Sequence, residues 1–340
     1  MESLDRLFTI RAITVDVTAK RASDARDIAL AQAQSEAYDK LLRKITQPEG
    51  RALLPVLSDV QRQALVSGIQ IVKEQSSARH YIASLDIRFE PGKVSRFLAE
   101  NKVPHVLGTG RGLMVLHAHT DGIGTFLWQP KAATLKANAA VDWINRIRTY
   151  VFPRGELAER AVVSYSEVAK FKTDNLQALA LKYDVESLLL ITSAWHEKGD
   201  GTGALSYEFH ATDGDFEDKG HIDGAGTDAE ANTQAQMFET VLEQIDSAWR
   251  DQLLVDTSTG GELRVLVPTT TADILPTIEK RLADVTLVHG FEVKSIGLPF
   301  SEVFFRYTGR EDQLVLALRY GGLDLANYGE DRILKIRTIE

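Results

Sequence analysis

The sequence contains no cysteine. That absence excludes disulfides, thiolate metal sites and a cysteine nucleophile. It leaves the compartment open, because cysteine-free chains serve both the bacterial periplasm and the cytosol. No apolar run approaches the roughly 18 residues of a membrane-spanning helix. The opening MESLDRLFTI lacks the apolar centre of a secretory leader. Positive charge is in deficit: 39 Lys and Arg face 48 Asp and Glu, a net charge of −9. The broad basic face of a nucleic-acid binder is therefore not expected. No stretch gathers a nucleophile, a ligand set or a phosphate loop, so neither a catalytic residue nor a cofactor is expected.

What the chain does carry is architecture. With 340 residues, 44% hydrophobic and 26% charged, it has the composition of a globular protein but too much length for one core. The patterning predicts an α+β protein of three small modules, at residues 1–105, 106–256 and 257–340. In the first, Phe8 and Ile10 alternate in one phase and Ile13, Val15 and Val17 in the other, which predicts a strand with a bulge near Ala12. Ser23 is the expected cap of a helix whose stripe is Ala25, Ala29, Ala33, Ala37, Leu41 and Ile45. A short helix over 60–65, a short strand at Ile69 and Ile71, a strand over 81–89 and a closing helix at Val94 and Leu98 complete the order β-α-α-β-β-α.

The middle module reads as mixed α/β. Strands are expected at 113–118, 150–152, 188–194, 204–211 and 216–222. Helices are expected over 131–148, from Asp174, and from Asp228 through Ala231, Ala235, Phe238, Leu242, Ile245 and Trp249. The last module alternates at Leu263, Val265 and Val267, then carries a helix through Ile274, Ile278 and Leu282. Strands near 286–296 and 303–307, a helix at Leu314 and Leu318 and a final strand over 332–339 follow. The order β-α-β-β-α-β is ferredoxin-like, an arrangement that implies no single function.

Four groups of residues invite a chemical reading. His117 and His119 share one face of a strand, with Asp121 in the same phase. Two imidazoles and a carboxylate suit zinc, but spacing identifies no further ligand, and a polar strand end is the preferred reading. Asp213, Asp215, Glu217 and Asp218 are oxygen-rich but lack the spacing of a calcium loop, so they read as a solvated turn. Ser193, His196 and Glu197 are the residue types of a hydrolase triad without a nucleophile elbow. Trp128, Trp143, Trp195 and Trp249 all fall in the middle module. Trp128, Trp143 and Trp195 are the candidates for a ligand or partner groove, with core packing as the commoner role. Gly108, Gly110 and Gly112 precede a strand, where a phosphate loop would follow one and open a helix.

The segments VDVTAKRASDARDIALAQAQSEAYDKLLRKIT and LVSGIQIVKEQSSARHYIASLDIRFEPGKV resemble the bacterial domain family of unknown function DUF2066. So do LRVLVPTTTADILPTIEKRLADV and YTGREDQLVLALRYGGLDL. Leu127-Trp128 is similar to that family's Leu-Trp pair, and Trp143 to a later tryptophan. The family's members resemble exported envelope proteins, which implies a periplasmic setting once a leader is removed; a cytoplasmic setting is the alternative. The family supplies no catalytic residues. In strand order and long closing helix, the middle module also resembles the N-terminal domain of TolB-like and CsgG-like envelope proteins.

The resulting expectation is a non-catalytic periplasmic scaffold or adaptor that binds protein partners in the envelope, without nucleic acid or a transmembrane segment. Any membrane contact would be peripheral. The alternative is a small-molecule or glycan binder, or a hydrolase, using a groove in the middle module.

Overall fold

The computed structural model describes the chain except residues 1, 214–215, 255–259, 270, 272, 284, 286, 321, 330 and 337–340, and the side chains of 2–4, 174–175, 252, 316 and 320. Helices and strands mix in three sheets, as an α+β protein should. Two compact units result: residues 1–109 with 250–340, and residues 110–249. No helix among the described residues is long and apolar enough to cross a membrane.

The chain opens with α1 (Glu2–Leu7), β1 (Thr9–Thr18), α2 (Ala22–Ile45), α3 (Pro48–Arg51), α4 (Asp59–Leu65), β2 (Val66–Ser76), β3 (His80–Phe89) and α5 (Pro91–Glu100). The strands form an antiparallel sheet of order β1-β3-β2. The expected bulge is present: the register shifts between Ile10 and Ile13, and Ala12 takes a left-handed φ of 53°. Its N–H donates to Asp86 Oδ1 at 2.8 Å, which holds the kink. Ala25, Ala29, Ala33 and Ala37 are fully buried, because side chains this small let α2 lie close on the sheet. Ser23 does not cap this helix. Arg21 holds the cap position, and its guanidinium pairs with Asp24 instead. The expected short strand at Ile69 and Ile71 is eleven residues long and partly or fully exposed throughout.

The second unit contains β4 (Leu113–Thr120), β5 (Thr125–Phe126), α6 (Ala132–Ala140), β6 (Tyr150–Val151), α7 (Leu157–Val162), α8 (Tyr165–Ala169), α9 (Asp174–Lys182), β7 (Ser187–Gly199), β8 (Thr202–Ala211) and β9 (Phe216–Ala225). The helix α10 (Ala229–Leu253) follows. The sheet order is β5-β4-β7-β8-β9, with β6 beside β4. β4 and β7 run parallel, and β7-β8-β9 is an antiparallel meander. Alternation assigns the two faces. Leu113, Val115, Leu189 and Ile191 pack against Met237, Phe238, Val241 and Leu242 of α10. Met114, Leu116, Leu188 and Leu190 pack against Val168, Leu176 and Leu179.

The helix expected over 131–148 is limited to α6. Val141 is extended, the chain then turns, and Asp142 accepts from the Asn145 amide and side chain, which replaces the next helical turn. Thr173 precedes α9; the side chain of Asp174, the expected cap, lies outside the described residues.

The remainder of the first unit is β10 (Gly260–Pro268), α11 (Ile274–Ala283), β11 (Val288–Ser295), β12 (Phe300–Thr308), α12 (Glu311–Tyr320), β13 (Leu323–Tyr328) and β14 (Asp331–Ile336). The order β11-β12-β10-β14-β13 keeps the split β-α-β of a ferredoxin-like module. Its closing strand is doubled: β13 turns at Gly329, φ 64°, into β14, which inserts beside β10 in parallel.

Candidate functional site

The middle sheet brings His117 and His119 onto the face beneath α10. There His117 meets the Phe238 ring edge-on, with ring centroids 5.0 Å apart. In the parallel β4–β7 register, His119 stands directly opposite Ser193. Ser193 Oγ consequently lies 2.7 Å from His117 Nε2 and 2.8 Å from His119 Nδ1. The other ring nitrogen of His119, Nε2, lies 2.9 Å from Glu230 Oε1, in the first turn of α10. A carboxylate there is favoured by the helix dipole.

The direction of this chain of bonds follows from its end. A carboxylate only accepts, so His119 Nε2 carries the proton and Nδ1 accepts from the Ser193 hydroxyl. The Ser193 oxygen in turn accepts from His117 Nε2–H. Both imidazoles are thereby satisfied while neutral, and burial favours that state. It lowers His117 to about 3, with the neighbouring His119 adding to the effect. Burial also lowers His119, against the opposing pull of Glu230.

Lys131, just before α6, closes the other side. Its Nζ donates to both oxygens of Glu230, at 3.0 and 2.9 Å, and to Asp121 Oδ2. Asp121 belongs to the turn after β4, where its Oδ1 accepts from the amides of Ile123 and Gly124 at 2.7 and 2.9 Å. Burial works to raise the Asp121 carboxyl, but the bonds from Lys131 and the two amides hold it below its ordinary value. Gln234, one turn along α10 and fully buried, donates to Glu230 Oε1 at 3.2 Å.

Two of the three metal candidates thus converge, and they do so with a partner that spacing did not reveal. Ligand atoms of His119, Asp121 and Glu230 lie within 4.8 Å of one another, the one such group among the described residues. His117 is turned away to Ser193. The signal for Glu230 in the sequence was faint: an acid in the first turn of a long amphipathic helix.

The Ser193, His196 and Glu197 grouping does not assemble. His196 and Glu197 lie on the exposed end of β7, and His196 points to the opposite face from Ser193. Ser193 instead finds His119 and Glu230, a serine–imidazole–carboxylate chain. It is sealed, however, with Ser193 4% and His119 1% exposed. Ser193 borders a shallow depression of about 520 Å³. The Thr192, Ser206 and Glu208 side chains lining that depression stand on the other face of the sheet from the imidazoles.

The tryptophans divide between the two faces. Trp128 packs on the α8–α9 side and donates to Val163 O at 2.9 Å. Trp143 and Trp195 pack on the α10 side, where Trp143 donates to Asn138 O. No single groove holds all three. Trp249 stacks on the Arg148 guanidinium at 4.6 Å. The acids near the β8–β9 turn also disperse: Asp213 pairs with Arg148, and Asp218 accepts from Gln244. Asp215 lies outside the described residues. Gly110 and Gly112 serve packing, since a Cβ at either would fall within 3 Å of Arg148 or Val185.

No family model matches the chain, and no curated protein matches it.

Proposed function

We propose that the protein is a non-catalytic adaptor of the bacterial periplasm that holds an extended segment of a partner protein along β2. One observation carries this reading. Exposed sheet edges are normally blunted by charge, irregularity or brevity. The edge strand β9 carries Glu217, Asp218, Lys219 and Asp223, and β5 is two residues long. In contrast, residues 66–72 of β2 include no charged side chain, residues 68–71 pair with β3 in unbroken register between two shifts, and Ile69, Ile71 and Val72 are 36%, 38% and 50% exposed. An added strand would take its affinity from backbone hydrogen bonds and its specificity from flanking pockets. A depression of about 540 Å³ runs across a face of the same sheet, lined by Thr9 and Arg11 of β1, Asp86 and Arg88 of β3, and Ser67, Gly68 and Gln70 of β2.

The sealed state of the histidine cluster favours binding over catalysis, because a nucleophile without access cannot reach a substrate. The periplasmic setting is supported by the resemblance of both end segments to exported envelope proteins.

The test compares the wild-type chain with Ile69→Lys and Ile71→Lys in affinity capture from bacterial envelope extract, followed by binding of the purified partner. A reproducible partner lost in both variants, with thermal melting unchanged, is expected. A partner retained by both variants, or none at all, overturns the reading.

A further inference from the structure

Asp121 and Glu230 hold two negative charges against one ammonium, that of Lys131. A dication in the same place would neutralise both carboxylates. Lys131 is able to leave: its side chain is 20% exposed, and a long lysine stem can carry its charge out to water.

A second observation concerns a side chain that borders the same space. Gln234 is fully buried, and its amide nitrogen lies 3.2 Å from Glu230 Oε1 and 3.5 Å from His119 Nε2. The oxygen of that amide, Oε1, has no hydrogen-bond partner. A buried, unpaired acceptor costs about 1–3 kcal/mol and calls for an explanation. Turning the amide over exchanges its nitrogen and oxygen, and brings the oxygen to the position beside Glu230 and His119.

We propose that His119, Asp121 and Glu230, with the Gln234 carbonyl, form a site for one divalent transition-metal cation, with Lys131 as the resident counter-charge that the cation displaces. The donors come from a strand, a turn and a helix, and the three ligand atoms lie within 4.8 Å of one another. An imidazole among oxygen donors selects Zn²⁺ or Mn²⁺ over the harder Mg²⁺ and Ca²⁺. Behind the site, Ser193 supplies the support that a ligating histidine needs on its other nitrogen. When His119 Nε2 turns to the metal, its proton resides on Nδ1 and is donated to Ser193 Oγ. Ser193 then donates to His117 Nε2, so the same bonds persist with their direction reversed.

The experiment uses the full chain, stripped with a chelator, dialysed and titrated with Zn²⁺ by calorimetry. Wild type, Lys131→Met, Asp121→Asn and Glu230→Gln are compared, with circular dichroism confirming the fold of each. One Zn²⁺ per chain is expected. Removing the competing ammonium in Lys131→Met should tighten binding by about tenfold or more. Each carboxylate variant should weaken it by about 10–100-fold, the scale of a lost ligand or support. Co²⁺ provides a second readout, with a visible absorption band present in wild type and lost in Asp121→Asn. The proposal is overturned if neither wild type nor Lys131→Met binds Zn²⁺. It is equally overturned if binding is the same in wild type and the folded carboxylate variants, which would place the ion on other residues.

Discussion

His119 and Glu230 lie 111 residues apart in the chain and 2.9 Å apart in the fold. Their contact ties the first turn of α10 to the end of β4, with Ser193 and His117 extending the link across the sheet.

Ser193→Ala removes the hydroxyl that satisfies two imidazoles at once. Leaving His117 Nε2 and His119 Nδ1 without a partner should lower stability by about 1–3 kcal/mol. Urea denaturation measures this. Thr192→Ala, on the exposed side of the same strand, should cost less and serves as the control. Equal midpoints for Ser193→Ala and wild type would show that the serine is not the link.

Glu159 provides an acid-sensitive anchor for α7. Its carboxylate accepts from the amides of Gly155 and Glu156, the Tyr183 hydroxyl and Lys182 Nζ, at 2.7–3.0 Å. Burial acts to raise its pKa, but these bonds outweigh it and bring the carboxyl from 4.5 down to about 2. A depressed folded-state pKa contributes stability that is complete above the unfolded value, and is lost as pH falls through the folded one. The stability gap between wild type and Glu159→Gln should therefore be full at neutral pH, shrink below 4.5 and close near 2. Denaturation at a series of pH values checks this; a gap independent of pH would contradict it.

Gly203 lies under the Trp195 ring, where an added Cβ would come within 2.1 Å of the indole. Gly203→Ala should destabilise by about 1–3 kcal/mol, as overpacking does. In the double variant Gly203→Ala with Trp195→Ala, the added methyl should cost much less. A strictly additive pair would show that the ring and the glycine do not meet.

Arg148 is 2% exposed. It donates to Asp213 Oδ2 at 2.6 Å and to Arg111 O at 2.8 Å, and it stacks on Trp249. Arg148→Ala removes all three contacts and should cost about 3–5 kcal/mol. Asp213→Ala, made in the Arg148→Ala background, should cost less than in wild type, a coupling that a double-mutant cycle reads directly. Trp249 fluorescence should also change in Arg148→Ala and hardly at all in Asp213→Ala.

Several details of the fold were legible in the chain because their causes are local. The change of phase between Ile10 and Ile13 was enough to place the Ala12 bulge. The alanine stripe of α2 and the alternation of β3 follow from side-chain spacing in the same way. Ser23 misled because a good capping residue competes with its neighbours: the Arg21–Asp24 pair formed instead. β13 was hidden because Gly322, with its left-handed φ of 76°, suits a helix end equally well whether or not a strand begins at Leu323. The stop after α6 was hidden as well, since it depends on the Asp142 side chain bonding to Asn145 rather than on a proline or glycine.

The sequence by itself determined the α+β class and placed His117, His119 and Asp121 in one phase, because periodicity is a property of neighbours along the chain. Only the tertiary structure decided what those residues meet. Parallel pairing of β4 with β7 delivered Ser193 to the imidazoles. The packing of α10 on that face delivered Glu230 and Gln234. Such meetings depend on strand register and helix placement, which are set by the burial of the whole apolar face and leave no mark in local spacing.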